Sequence, residues 1–360
     1  MIVPSLLKTP SAWASIACAA DSRPDTERPY HLSLAREAGS RRPTGPLASS
    51  RATSCLAMPG EHGGWTKRSS GSTWPGRIRV AFARRCNRCW ARRHLSKSAI
   101  SRVVAWLKEH FQRWQERDLS EERYPILYLD GLHLKVRLAR RVVSGPVLAV
   151  LGVAPDGQKQ LVALRLAVSE ASACWASVIA SLQRRNLSDP LLLVADGHAG
   201  LRKALENWSS VKLQRCTVHK LENLLDHCPV HARPEMKRDY HAIVRAKDGI
   251  SAREAYDAFL SKWRMLYPSV AASLEEAGLD LLTFYEFPKA MWKGLRSTNS
   301  IENLNREFRR RTKTQGSFST EAAALTMLYG LVAFGQIELR RITGCKTMKG
   351  LLQEGWTTAA

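Results

Sequence analysis

The chain has 360 residues, 44% of them hydrophobic, a globular composition with room for a sizeable core and two or three domains. Its 55 Lys and Arg against 32 Asp and Glu leave a formal charge of +23. That balance asks for a polyanionic partner, nucleic acid ahead of a ribosomal or membrane-surface role. The eight scattered cysteines exclude a compact disulfide framework and fit a reducing cytosol, and no run approaches the ~20 apolar residues of a membrane-spanning helix.

Residues 1–93 are rich in Arg, Ser, Gly, Pro and Trp, as in "SRRPTGPLASSRATS", and read as a basic arm of low order. Pro4 and Pro10 interrupt the first apolar run, which has no basic lead. A secretory signal is therefore not expected, and the cytoplasm is the expected location. Cys86-x-x-Cys89 stands alone here; a zinc site needs more ligands, so two free thiols are expected. From residue 94 the pattern changes. Ile100, Val103, Val104, Leu107 and Phe111 share one helix face, with Ser96 or Ser98 to cap it. Two readings stay open for 94–123: the recognition half of a helix-turn-helix using Lys97 and Arg102, or an amphipathic helix packed on a core.

From Tyr124 the period becomes two. In "YPILYLDGLHLKVRLA", Leu132, Leu134 and Val136 alternate with His133, Lys135 and Arg137. "GPVLAVLGVAPDGQKQLVALRLA" is two strands around a Pro155-Asp156-Gly157 turn. The three strands predict an antiparallel meander. A helix over about 170–185 then allows a right-handed crossover, returning "LLLVA" (191–195) parallel to the first strand. Residues 201–285 read as mostly helical, and a last helical block is expected over 299–341.

Three acids stand out. Asp130 faces with Tyr128 inside the first strand, where an unpaired carboxylate is costly. Asp196 ends the fourth strand, and Asp196-Gly197 is also ordinary turn chemistry. If the two strands are neighbours, both carboxylates reach one edge of the sheet, where each raises the other's pKa unless a divalent ion neutralises them. Glu302 lies one turn into a helix that continues with Arg306, Arg309, Arg310, Arg311 and Lys313. Asn299-x-x-Glu302 equally fits a capping box.

Taken together, "YLDG", "ADGHAGLRKAL…QRCTVHKLENLL" and "STNSIENLNREFRRRTKTQGSF" resemble the bacterial insertion-sequence transposases of the Mutator-like superfamily, over about residues 94–335. The resemblance implies an α/β fold with a ribonuclease H-like core, interrupted by an all-helical insertion. Its parts would be a helical DNA-binding remnant (94–123), a first core portion (124–200), the insertion (201–295), a C-terminal portion carrying the Glu (296–345) and a tail (346–360). It implies a catalytic triad of Asp130, Asp196 and Glu302 holding two Mg²⁺ ions, replaceable by Mn²⁺, with Asp130 bridging. Water and then a freed 3′-hydroxyl would attack phosphodiesters in line. Gly131, Gly197, Cys216 and His219 match as supporting positions. Arg296, Asn303, Asn305, Arg306 and Arg309 are expected DNA contacts beside Lys97 and Arg102. Trp292 reads as a core residue ahead of a base-stacking one. Cys216-x-x-His219 with His227, Cys228 and His231 has zinc-type ligands, but a brace for the active site is the stronger expectation. The partners implied are element ends and target DNA, held by a homodimer or larger assembly.

Two features depart from the family pattern. Residues 1–90 lack its ordered N-terminal region, as a joined reading frame or misassigned start would, and Glu222 replaces a usually basic residue. The competing functions are therefore a non-transposing DNA-binding remnant and a metal-dependent nuclease that cuts without joining.

Overall fold

The strand bearing Asp130 is the middle of a five-stranded sheet. In the computed structural model, residues 97–348 are described, except 139, 140, 198, 206, 207 and 209. The expectations for residues 1–93, Cys86-x-x-Cys89 included, lie outside the described residues, as does most of the 346–360 tail. Strands β1 (Ile126–Leu138), β2 (Arg141–Val153), β3 (Lys159–Leu166), β4 (Leu192–Ala195) and β5 (Lys212–Arg215) lie in the order β3-β2-β1-β4-β5. The meander is antiparallel from Ile126↔Val153 outward, and β4 returns parallel to β1 with Ile126↔Leu192 and Leu129↔Ala195 in register.

Alternation along β1 divides the core. Ile126, Tyr128, Leu132, Leu134 and Val136 face α1 (Lys97–Glu116), α9 (Asn299–Thr312) and α10 (Glu321–Ala333). Leu127 and Leu129 face α2 (Ser172–Arg184) and α3 (Ala199–Leu205), where Trp175 and Ile179 are buried. The sheet is thus covered on both sides, as a parallel pairing at its centre requires. The apolar face of α1 packs inward. Val103, Leu107 and Phe111 join the first core, and Phe111 and Trp114 sit 5.5 and 4.9 Å from the Tyr329 ring.

Helices α4 (Thr217–Asp226), α5 (Arg233–Val244), α6 (Gly249–Leu266) and α7 (Pro268–Ala277) build a core of their own around Met236, Tyr240, Phe259 and Trp263. Short 3₁₀ turns and α8 (Trp292–Leu295) lead back to α9. The helical expectation for 201–285 needs one correction. Lys212–Arg215 is a strand, parallel to β4 from Leu192↔Lys212 to Ala195↔Arg215. Its four residues "KLQR" carry no apolar period, and its two buried residues are polar. The last helical block is also interrupted. After α9, Phe318 crosses to β1, giving its N–H to Lys135 O (2.9 Å) and taking that of Arg137 (2.7 Å). Between Ala333 and the 3₁₀ turn at Cys345–Thr347 the described residues form no further helix, so the expected block ends short of Arg341.

Gln214 ties the sheet to the returning chain. Fully buried, it accepts from Phe284 N (2.7 Å) and donates to Leu281 O (3.0 Å). Replacing it with Leu keeps the volume but strands two buried backbone groups, so Gln214→Leu is expected to lower the unfolding free energy by about 2–4 kcal/mol. Urea denaturation of wild type and variant checks this.

Candidate functional site

Because Leu129 and Ala195 are paired in parallel, Asp130, still inside β1, and Asp196, just past the end of β4, follow them on adjacent strands side by side. Asp130 is held at both oxygens: Gly131 N donates to Oδ1 and Asn305 Nδ2 to Oδ2, each at 2.8 Å. Gly197 N donates to Asp196 Oδ1 (2.7 Å). A Cβ at position 197 would fall 1.6 Å from Arg215 Nη2. Arg215 is only 3% exposed and donates to Gly197 O, so a side chain at this turn would have to displace a buried guanidinium, which glycine avoids.

Glu302 arrives from α9. Thr298 holds the N-cap position without a side-chain cap, and its hydroxyl instead donates to Glu302 Oε1. The Asn299 capping box is therefore not what holds this carboxylate. His219, on the first turn of α4, stands between the acids: Nδ1 is 3.7 Å from Asp196 Oδ1 and Nε2 is 3.9 Å from Glu302 Oε1. Cys216, which caps α4, is fixed by its N–H to Ala195 O (2.9 Å), and its Sγ lies 3.2 Å from the Thr298 hydroxyl. The hydrogen bond to Cys216 raises the His219 pKa to about 9, and the two neighbouring acids add to it, so the ring is cationic at neutral pH. Burial pushes the Cys216 thiol up, but hydrogen bonds from His219 and Thr298 outweigh it and leave the thiol lowered.

The structure thus brings Asp130, Asp196, Glu302, Cys216 and His219 together with Asn305. Asn305, an expected DNA contact, is 1% exposed and donates to Asp130. Asn303, Arg306 and Arg309 are exposed on the outer face of α9. Arg306, Arg309, Arg310 and Lys313 border a groove of about 650 Å³ with His133 and Lys135 of β1. Arg296 is half-buried, and its carbonyl takes the Thr217 N–H (2.9 Å). Lys97 and Arg102 belong to α1, with Arg102 exposed. Trp292 donates to Phe287 O (2.6 Å) and packs edge-on to Tyr285, so it is a packing residue. Cys228 is buried against Pro229 and His231 bonds Tyr267, apart from Cys216 and His219. Glu222 is exposed. Sequence reasoning missed Thr298, Arg215 and Lys220. Thr298 had a signal, a hydroxyl residue just ahead of an apolar helical period; buried cations on a four-residue strand and its following helix had none.

Burial raises the Asp130 pKa to about 6, and Glu302 pushes it further in the same direction against the bonds from Gly131 and Asn305. The folded chain therefore binds this proton more tightly than the unfolded chain does. The contribution of this carboxyl to stability is greatest below about pH 4, falls as pH rises, and is fully lost above about pH 6. Asp130→Asn removes the charge and keeps an acceptor for Asn305. In metal-free buffer it is expected to raise stability at pH 7 by up to about 3 kcal/mol, and the gain should vanish near pH 4. Thermal melts across that range check it.

Known proteins resemble this sequence. Residues 83–338 match the family model described as "Transposase, Mutator family". The transposase for insertion sequence element IS6120 of Mycolicibacterium smegmatis is 36% identical over 239 residues, covering 66% of this chain and 73% of that protein. The transposase for IS1081 of Mycobacterium tuberculosis is 34% identical, covering 71% of this chain and 62% of its own length. That for IS905 of Lactococcus lactis is also 34% identical, with 64% and 58% covered. The chain therefore spans less than two thirds of the length of the latter two. Among the described residues no helix is long and apolar enough to cross a membrane. With the family model matched over most of its length, the chain belongs to the Mutator family of transposases.

Proposed function

We propose that this chain cuts and joins DNA strands as the transposase of an insertion sequence. Asp130, Asp196 and Glu302 would be its catalytic acids and the sheet with its flanking helices a ribonuclease H-like core. The observation that carries this reading is the convergence of the three carboxylates, two from paired parallel strands and one from a helix of distant sequence. The residues fit divalent metal. The three acids offer only oxygen donors, which suit Mg²⁺. Asp130 is pushed up to about 6 by burial and Glu302, a strain that a bound cation relieves. Asp130, Asp196 and Glu302 would hold the ions, whose chemistry is Lewis acidity at the attacking and leaving oxygens of one phosphodiester.

The chain's own groups do the rest. Asn305 and the Gly131 N–H orient Asp130, Thr298 orients Glu302, and the His219 cation lowers the cost of keeping the acids charged before metal arrives. The exposed basic face of α9, which starts one turn beyond Glu302, would hold backbone phosphates. Element ends and target DNA are the proposed partners, a dimer the proposed assembly, and the cytoplasm the proposed location.

Cleavage and strand transfer with Mg²⁺ or Mn²⁺ on DNA carrying the element's own ends tests this. Glu302→Gln is expected to reduce both at least about 100-fold while DNA affinity stays within about twofold. Wild type that binds such DNA yet neither cuts nor joins it sinks the proposal in favour of a DNA-binding remnant. Arg306→Ala and Arg309→Ala are each expected to weaken binding equally on all sequences and to reduce the slope of log K against log salt by about 1. Filter binding from low to moderate salt measures that slope.

A further inference from the structure

Beside the three acids lies a ligand set of different chemistry. Cys216, His219 and Glu302 each offer one ligand atom, and these atoms lie within 4.8 Å of one another. Sulfur and imidazole are poor ligands for Mg²⁺ and good ones for a borderline-soft ion of the zinc class. Around a tetrahedral ion with bonds of ~2.0–2.3 Å, ligand atoms stand roughly 3.3–3.8 Å apart, so the set needs only a side-chain-sized contraction. Its members are already oriented. Cys216 is 1% exposed and anchored to β4 through its backbone, and His219 follows one helical turn later. The Thr298 hydroxyl reaches all three: Sγ at 3.2 Å, His219 Nδ1 at 3.4 Å and Glu302 by a hydrogen bond. It supplies the outer hydrogen bonding that metal-ligating side chains usually carry.

We propose that Cys216, His219 and Glu302 form a site for a thiophilic divalent ion, with water completing a tetrahedron, and that its occupancy switches the enzyme off by withdrawing Glu302 from the Mg²⁺ site. The second half rests on the function proposed above; the site itself does not. Binding forms metal–sulfur, metal–nitrogen and metal–oxygen bonds. The thiol and imidazolium protons leave to solvent, and nothing is oxidised or reduced. A hard-ion centre and a soft-ion centre would then share one carboxylate, so the two ions exclude each other.

The full-length protein titrated with Co²⁺ tests this, because cobalt accepts zinc geometry and a thiolate ligand gives it an intense charge-transfer absorption. The expected result is that absorption at one equivalent, lost in Cys216→Ser and shifted to at least about tenfold higher Co²⁺ in His219→Gln and Glu302→Gln. The last two variants carry the test if Cys216→Ser does not fold. The signal must survive in a Cys86→Ser, Cys89→Ser double variant. Its absence in wild type, or its persistence in Cys216→Ser, overturns the site. Excess Mg²⁺ is expected to weaken Co²⁺ binding several-fold; a signal indifferent to Mg²⁺ overturns the shared carboxylate. Mg²⁺-dependent cleavage without the cobalt signal defeats this inference and leaves the proposed function standing. The cobalt signal in a protein that never cleaves DNA does the reverse.

Discussion

The most demanding interaction in this fold is the placing of the Asp130 carboxylate inside the buried strand β1, beside the end of β4. Like charges in a partly desolvated place repel strongly, and each is costly there even alone. The protein meets that cost by several small compensations. Asp130 receives one donor at each oxygen, and a cationic imidazole stands between Asp196 and Glu302. The compensation is incomplete, since Asp130 still titrates near 6. An incompletely neutralised cluster is what a metal-binding site must be in the metal-free protein: full neutralisation by fixed side chains would leave nothing for the cation to gain.

The same constraint explains the chemistry of the returning strand. Arg215 and Lys220 are both 3% exposed and share Glu276, at 2.8 and 3.0 Å. Two buried cations on one half-exposed carboxylate leave excess positive charge behind the Asp196 turn. Burial lowers the Lys220 pKa despite the bond to Glu276. Arg215 also fills the space beneath Gly197 and donates to its carbonyl. Since Glu276 ends α7, the helical segment is mechanically joined to the loop that carries the second acid. The helical segment and the Asp196 turn are therefore joined through ion pairs whose cations are buried, and removing Glu276 would strand both charges.

How far the sequence revealed this follows from which patterns leave a period. The β1 alternation of Leu132, Leu134 and Val136 against His133, Lys135 and Arg137 was legible, as were the meander, the crossover and the parallel return of Leu192–Ala195. Those segments bury apolar residues at regular spacing. Lys212–Arg215 was not legible, because its buried residues are the polar Gln214 and Arg215, which bond partners some 60 to 70 positions away. Asp196 was visible as a strand end, Asp130 as an acid inside an apolar strand and Glu302 through the motif, and family membership follows from the matched family model. The supports of these acids were less visible. Asn305 looked like a DNA contact because it lies among arginines; only the phase of the helix turns it inward.

That phase is the last constraint. On α9, Ile301, Leu304, Asn305, Phe308 and Thr312 are buried, while Asn303, Arg306, Arg309, Arg310 and Lys313 are exposed. Glu302 and Asn305, three residues apart, share the flank that meets β1. One helix thus packs the core, delivers a carboxylate, steadies Asp130 and offers a basic outer face. Its rotation cannot be tuned for one task alone: a turn that improved the grip on phosphate would draw Glu302 and Asn305 off the acids. Phe308, fully buried, and the Phe318 crossover onto β1 fix that rotation from the core side. In the proposed function, packing at Phe308 sets where a bound phosphate meets the carboxylates, so the hydrophobic core helps to define the reaction geometry.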